Sequence, residues 1–326
     1  ANTAYAAMLE KLPGMTAEIA AAIVDWRDAD SQATPGGAES EYYLLLDPPR
    51  ECKNAPFETV EELLLVKGMT TEILFGEDTN RNCLLDPNEN DGNMTEPPDN
   101  ADGRLDRGIW PFITVYSVEP AASNSDSVNV NEPRGSELVD LLRSVVPPAR
   151  LPGVLDRARR RPFRSALDFY VRVGLTPEEF SRIAARITTT SEPRRGLINV
   201  NSAPPEVLAC LPGLTGDDVA ALIAYRADAS HDISTVAWLA KVLTPQKAAA
   251  IGEFVTVKSY QFSADAIAVA GSGRAFCRSR IVVDAASAPK VVYRQDLTSL
   301  GWPLDPAVIS NLRSGKPFET VARATL

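Results

Sequence analysis

The sequence holds a single histidine, four cysteines and no apolar run approaching the ~20 residues that cross a bilayer. Each shortage excludes something. With His231 as the only imidazole, flanked by Ser230 and Asp232, no hydrolytic triad can be read, because neighbours in sequence rarely face one another productively. A capping or surface role is expected for it. Cys52, Cys83, Cys210 and Cys277 are widely spaced and form no CxxC pair, so a zinc site is not expected. Buried free thiols are the plain reading; a Cys52–Cys83 bridge is open if the compartment oxidises thiols. Positive charge is also short. The 33 Lys and Arg face 43 Asp and Glu, and the net charge of −10 repels a phosphate backbone while suiting solubility, divalent cations or basic partner faces. No basic-then-apolar start marks a signal peptide. The opening residues read as the inside of a folded unit, so the natural N-terminus, with any anchor, is expected to precede Ala1.

What the sequence has is repetition. NTAYAAMLEKLPGMTAEIAAAIVDWRDA from Asn2 matches NSAPPEVLACLPGLTGDDVAALIAYRAD from Asn201 at a constant offset of 199 residues. Leu9 and Leu12 match Leu208 and Leu211, Pro13-Gly14 matches Pro212-Gly213, Thr16 matches Thr215 and Arg27 matches Arg226. Asn2 or Asn201 is expected to cap a short helix whose inner face carries the two leucines. Pro-Gly breaks that helix, and Thr16 or Thr215 caps the next, with Ile19, Ala22, Ile23 and Trp26 at helical spacing. A second pattern pairs FETVEELLLVKGMT from Phe57 with FRSALDFYVRVGLT from Phe163, and STVAWLAKVLTP from Ser234 is a third copy without the glycine. A third pattern, FITVYS, RITTTS and FVTVKS, ends at Ser117, Ser191 and Ser259; its β-branched residues predict extended strands. Two of these lead through polar linkers to VNVN (Val128–Asn131) and INVN (Ile198–Asn201).

These repeats predict an α+β fold: tandem helical hairpin modules at 1–118, 127–191 and 198–259, attached to a small antiparallel sheet. The sheet strands fall within 260–298, where YQFSADAIAVA, AFCRSRIVVDA and KVVYRQD alternate with period two, and Gly271-Ser272-Gly273 reads as a hairpin turn. A helical tail is expected over 299–326.

An acidic insert at 76–108 interrupts the first module. DTNRNCLLDPNE places side-chain oxygens at loop positions 1, 3, 5, 9 and 12, namely Asp78, Asn80, Asn82, Asp86 and Glu89, with the Leu84 carbonyl at position 7. That is the spacing of an EF-hand-type calcium loop, which supplies hard oxygens from alternating residues. Position 6, normally Gly for the sharp turn, is Cys83. DNADGRLDRG keeps part of the pattern in Asn100, Asp102 and Asp106, with Arg104 at the backbone position. Asp99, or an acid of the first loop, would stand in for an oxygen that Pro98 lacks. One Ca²⁺, or two, would order a segment too polar to fold on a core of its own.

The series DWRDAD…GGAESEYY…PP…NAPFETVEELLLVKGM, with INVNSAPPEVLACLPGL, resembles component K of the type II secretion system, a minor pseudopilin. The resemblance implies a pilin-like sheet carrying helical domains described as SAM-like, calcium in the globular part, and an inner-membrane helix outside this sequence. It implies a periplasmic place at the pseudopilus tip, capping or initiating assembly. Other minor pseudopilins and the inner-membrane secretion machinery would be the partners. Three modules rather than two set this sequence apart from the family's common pattern. Three rival readings are weighed against it. A DNA-binding helix–hairpin–helix protein would share the LPGMT and LPGLT hairpins, but the second glycine is Thr16 or Thr215, basic flanks are few, and the Arg157–Arg161 run reads as a solvated or acid-paired face. An enzyme would need a use for carboxylates such as Glu39 and Glu41, which read better as fold signature or partner surface. A generic calcium-stabilised scaffold differs mainly in its partners.

Overall fold

The computed structural model describes residues 1–121, 127–270 and 273–316. It is mixed helix and sheet, as the repeats predict. It divides into two compact units: one formed by residues 1–62, 66–68 and 112–260, the other by 63–65, 69–111 and the chain from Gln261 onward. This grouping cuts across the division in sequence order, because the acidic insert shares a unit with the strands.

The first unit is built from helical hairpins. Ala6–Leu9 and Ala17–Arg27 form one, Pro205–Ala209 and Gly216–Ala227 its counterpart. At each bend a left-handed glycine, Gly14 (φ 70) or Gly213 (φ 74), precedes the capping threonine. Thr16 accepts from the Ile19 amide and Thr215 from the Asp218 amide. The second pattern follows the same grammar: Gly174 (φ 74) ends the helix Ala166–Val173, and Thr176 caps Pro177–Ile183 in a reciprocal capping box with Glu179. The third copy keeps the threonine, Thr244, which accepts from the Lys247 amide.

Asn2 and Asn201 do not cap helices. The N-caps are Tyr5 and Pro204, without side-chain hydrogen bonds. The asparagines instead join the two halves of a module. Asn131 donates to the Phe163 (2.9 Å) and Thr189 (3.0 Å) carbonyl oxygens and accepts from the Phe163 amide (2.7 Å). Asn2 makes the same exchange with Phe57 (3.0 and 2.7 Å). Asn201 donates to the Ile233 carbonyl oxygen (2.9 Å) and accepts from the buried Trp238 indole (3.1 Å). A backbone group inside a module needs a partner wherever the chain is irregular, and one amide side chain supplies both a donor and an acceptor.

The extended closing segments also have a defined role. Val128–Asn129 pairs in parallel with Ile187–Thr188, and Ile198–Asn199 with Val255–Thr256, so the opening VNVN or INVN is clasped by the closing RITTTS or FVTVKS of the same module. FITVYS departs from the expectation: it forms no strand. It is held by Ala1, whose amino group donates to the Thr114 carbonyl oxygen (2.6 Å), and the two-residue strand Val118–Glu119 that follows pairs antiparallel with Arg194–Arg195. Successive modules pack closely. A Cβ on Gly252 would meet Ser165 Oγ at 2.1 Å and Leu167 Cβ at 3.0 Å. The core is apolar and small-residue rich, with Ala20, Ala22, Ile23, Tyr43, Leu142, Val154, Phe169, Phe180, Leu208 and Leu222 fully or almost fully buried.

The second unit holds a three-stranded antiparallel sheet, Gln261–Val269, Phe276–Asp284 and Lys290–Asp296, with Phe276–Asp284 central and a bulge between Val282 and Val283. Gly271 and Ser272 of the expected turn lie outside the described residues. Of the helical tail, Pro306–Arg313 is helix, capped by Asp305; residues 317–326 lie outside the described residues. Buried apolar residues of this unit include Leu63, Leu74, Ile109, Val282 and Leu297.

Candidate functional site

The ends of the acidic insert are pinned where Gly76 and Gly108 pass one another. Glu77 donates its amide to the Asp106 carbonyl oxygen (2.9 Å) and Ile109 to that of Ile73 (2.9 Å). A Cβ on Gly76 would lie 2.5 Å from Asp106 O, and one on Gly108 2.4 Å from Ile73 O, so both positions require glycine.

Within the insert, Asp78–Glu89 is a closed loop. Asp78, 4% exposed, accepts through Oδ1 from the Asn82 amide (2.9 Å) and through Oδ2 from the Cys83 amide (3.2 Å). Asn80 Oδ1 accepts from the Asn82 amide (2.9 Å), and Asn82 Oδ1 from the Leu84 amide (2.7 Å). The amide nitrogens of Asn80 and Asn82 both donate to Asp86 Oδ2 (2.8 Å each), so positions 3, 5 and 9 converge. Position 6 is Cys83 with φ 60, so a residue other than glycine takes the left-handed turn here. Glu89 at position 12 is 1% exposed. Its Oε2 accepts from the Asp86 amide (2.9 Å), while its buried Oε1 has no partner. Burial pushes the Glu89 carboxyl up to about 7, the Asp86 amide opposing this and Asp78, Asp86 and Glu77 adding repulsion. Burial also raises Asp78, against the pull of the Cys83 amide and Arg107, whose Nε lies 3.5 Å from Asp78 Oδ2. The carboxylates of Asp78, Asp86 and Glu89 and the side-chain oxygens of Asn80 and Asn82 are hard donors, the class that a divalent cation such as calcium takes.

The second cluster is arranged differently. Asn100 Oδ1 accepts from the Asp102 amide (2.9 Å), Asp102 Oδ1 from the Arg104 amide (2.8 Å), and Asp106 Oδ1 from the Gly108 amide (2.8 Å). Each side chain thus turns back onto its own backbone two residues on, and Arg104 is exposed. Asp99 is engaged by the amides of Asp91 (2.9 Å), Gly92 (2.9 Å) and Ala101 (2.6 Å). It therefore ties the insert together.

A residue that spacing did not single out holds the first loop. Arg278, 1% exposed on the central strand, donates to the carbonyl oxygens of Asn80 (2.8 Å) and Arg81, and to Asp265 (3.1 Å). Arg280 pairs with the same Asp265 (2.6 Å) and lies over the Trp110 ring, 4.9 Å from its centroid. The signal available beforehand was a pair of arginines at alternate positions of a strand, aimed to one face.

The rival sites resolve into structural roles. His231 stacks on Tyr225 (3.8 Å between centroids) with Nδ1 2.9 Å from the Tyr225 carbonyl oxygen. Arg160 pairs with Asp156 (2.9 Å), Arg157 donates to the Val173 carbonyl oxygen (2.7 Å), and Arg161 to that of Asn131 (3.3 Å), so this basic run serves the fold. All four cysteines are free thiols, and a Cys52–Cys83 bridge is not formed. Glu39 is buried and Glu41 exposed. No helix among the described residues is long and apolar enough to cross a membrane.

The family model described as type II secretion system (T2SS), protein K, matches residues 1–75. A chain of "The Crystal Structure of the GspK-GspI-GspJ complex from enterotoxigenic Escherichia coli Type 2 Secretion System" is similar at 12% identity with a TM-score of 0.42, over 90% of this chain and 68% of that one. No curated protein matches the sequence. The matched stretch, residues 1–75, carries the DWRDAD…GGAESEYY series, so the likeness to type II secretion system protein K is a property of that segment.

Proposed function

We propose that the protein is a structural minor pseudopilin that caps or initiates the pseudopilus tip during export, and that it has no catalytic role. The observation that carries the reading is the match of residues 1–75 to the protein K family. The modular build supports it: small apolar seams, clasped strands and asparagine ties make helical, SAM-like modules of one unit, and a three-stranded antiparallel, pilin-like sheet makes the other. The partners are other minor pseudopilins and the inner-membrane secretion machinery. The place of action is the periplasm, with anchoring by an apolar helix that the family carries before its globular part.

In the same reading the Asp78–Glu89 loop holds Ca²⁺. The Glu89 oxygen without a partner, buried among acids, supports this, because a cation would satisfy it and relieve the repulsion. Bound calcium would supply a multivalent anchor for the loop, and Asp78, Asn80, Asn82, Asp86, Glu89 and the Leu84 carbonyl would hold it. Asn100, Asp102, Asp106 and the Arg104 carbonyl could form a second site only by exchanging their backbone partners for the ion.

Deletion of the gene tests the functional reading. Export through the system is expected to stop and to return with the intact chain, and labelled protein should mark pseudopilus ends. Normal export without the gene, or label along the whole shaft, contradicts it.

A further inference from the structure

The acidic signature segment that follows the first hairpin does more than mark the family. The helix Ala17–Arg27 ends at Asp28, and the chain loops through Asp30 before returning at Glu39. Asp25, fully buried, folds that loop: its carboxylate accepts from the Thr34 amide (3.1 Å), the Thr34 hydroxyl (2.5 Å) and the Ala38 amide (2.8 Å). Gly37 lies so close that a Cβ there would stand 2.0 Å from Asp25 Oδ2. The fold of the loop brings one oxygen each of Asp28, Asp30 and Glu39 within 4.8 Å of one another. Among the described residues it is here, rather than in the Asp78–Glu89 loop, that three carboxylates converge to such a distance.

Three acids together are unfavourable by themselves, and two further features worsen the balance. They sit at the C-terminal end of a helix, where the backbone dipole already disfavours negative charge. Glu39 is 5% exposed, and neither of its oxygens has a hydrogen-bond partner; one buried oxygen of Asp28 also has none. The adjacent Cys52 thiol donates to the Asp25 carbonyl oxygen (3.7 Å). Burial raises the Glu39 carboxyl, with Cys52 opposing and Asp25, Asp28 and Asp30 adding repulsion. A buried, unsatisfied carboxylate aimed at two others is what a cation would complete.

We infer that Asp28, Asp30 and Glu39 form a site for a hard divalent cation, separate from the acidic insert. The donor chemistry selects the class. All three acids offer oxygen, and Asn54 holds the loop at Asp30, its side-chain nitrogen donating to the Asp30 carbonyl oxygen (2.7 Å). The one sulfur nearby, Cys52, points its thiol at the Asp25 carbonyl oxygen (3.7 Å) and lies outside the three-acid cluster, which leaves a set of hard oxygen donors. An ion here would lock the loop between the first hairpin and Ser40–Tyr43, whose buried Tyr43 packs edge-on against Trp26 at 5.0 Å.

The test uses the full chain, stripped with EDTA and titrated calorimetrically with CaCl₂, in a background carrying Asp78→Ala, Glu89→Ala, Asp102→Ala and Asp106→Ala so that both clusters of the insert are silent. One equivalent of Ca²⁺ is expected to bind. Glu39→Gln and Asp28→Asn, each added to that background, should weaken it by about tenfold or more, since affinity follows ligand charge. Uptake of no ion by the insert-silent chain, or unchanged affinity in Glu39→Gln, overturns the inference. Melting in EDTA guards against a folding artefact. Glu39→Gln removes a repelled charge and should melt at or above its parent, whereas a lower melting point there also contradicts the site. Because the insert is silenced throughout, failure of this site is distinguishable from failure of the calcium loop.

Discussion

Asn131→Ala is expected to cost about 2–4 kcal/mol of stability. The side chain makes three hydrogen bonds that join the opening strand of its module to both later segments: two donations, to Phe163 O and Thr189 O, and one acceptance from Phe163 N. Each such bond contributes about 1 kcal/mol net, and a buried backbone group left without a partner costs about 1–3 kcal/mol. Phe163 is 2% exposed, so water restores little. Asn131→Asp separates the components. It keeps the acceptor but sets a carboxylate against two carbonyl oxygens, so it should cost at least as much at pH 7 and recover part of the loss in acid, where the protonated group donates. Asn129 serves as the comparison, because its side chain makes one long exposed bond to Ser191 Oγ (3.4 Å) and one acceptance from the neighbouring Asn131 amide (3.1 Å), neither reaching the Phe163 segment; Asn129→Ala should cost about 1 kcal/mol. Urea unfolding followed by circular dichroism measures the loss. Hydrogen exchange at the Val130 amide, which donates to Thr188 O (2.9 Å), reports whether the clasp opens. A cost below about 0.5 kcal/mol, or one no larger than that of Asn129→Ala, refutes the tie.

Three further outcomes are expected. Arg278→Met should destabilise the unit that contains the insert by about 2–4 kcal/mol and expose residues 78–89 to proteolysis, because it frees two loop carbonyls while Asp265 keeps its pair with Arg280; unchanged protease resistance contradicts this. In EDTA, Glu89→Gln should stabilise the chain. A carboxyl raised from 4.5 to about 7 binds its proton more tightly folded than unfolded, so the native chain loses stability as pH climbs through that window. The gain of the variant should be near zero below pH ~4 and up to roughly 3 kcal/mol above pH ~7; a gain independent of pH argues against it. Asp78→Ala should abolish the calcium-dependent rise in melting temperature expected of the insert, and a chain whose melting ignores calcium has no such site.

Much of the helical architecture was legible because its causes are local. Gly followed two residues later by Thr is an instruction for ending one helix and capping the next; it recurs at Thr16, Thr70, Thr176 and Thr215 with the Thr in extended backbone each time, and proline precedes the glycine at the first and last. The three sheet strands were readable from period two. The asparagines were misread as caps because Asn at a helix entrance satisfies either rule, and only the position of Phe57, Phe163 or Ile233 in space decides between them. FITVYS was misread because β-branched composition cannot supply a pairing partner. The loop spacing named a set of oxygens, yet it could not reveal that Cys83 takes the left-handed turn or that Arg278, some two hundred residues on in the chain, grips the loop backbone. Glu39 reads from sequence, with Glu41, as fold signature or partner surface; its place beside Asp28 and Asp30 depends on Asp25 folding the chain back.

The central claim is that this head is built to be positioned at the end of an assembly. The most direct measurement mixes the purified chain with the globular parts of the other minor pseudopilins of the same secretion system and follows sedimentation by analytical ultracentrifugation. A discrete complex containing one copy of this chain is predicted, with Asn131→Ala weakening it only as far as it unfolds the head. Independent sedimentation of every component at micromolar concentration would contradict the account.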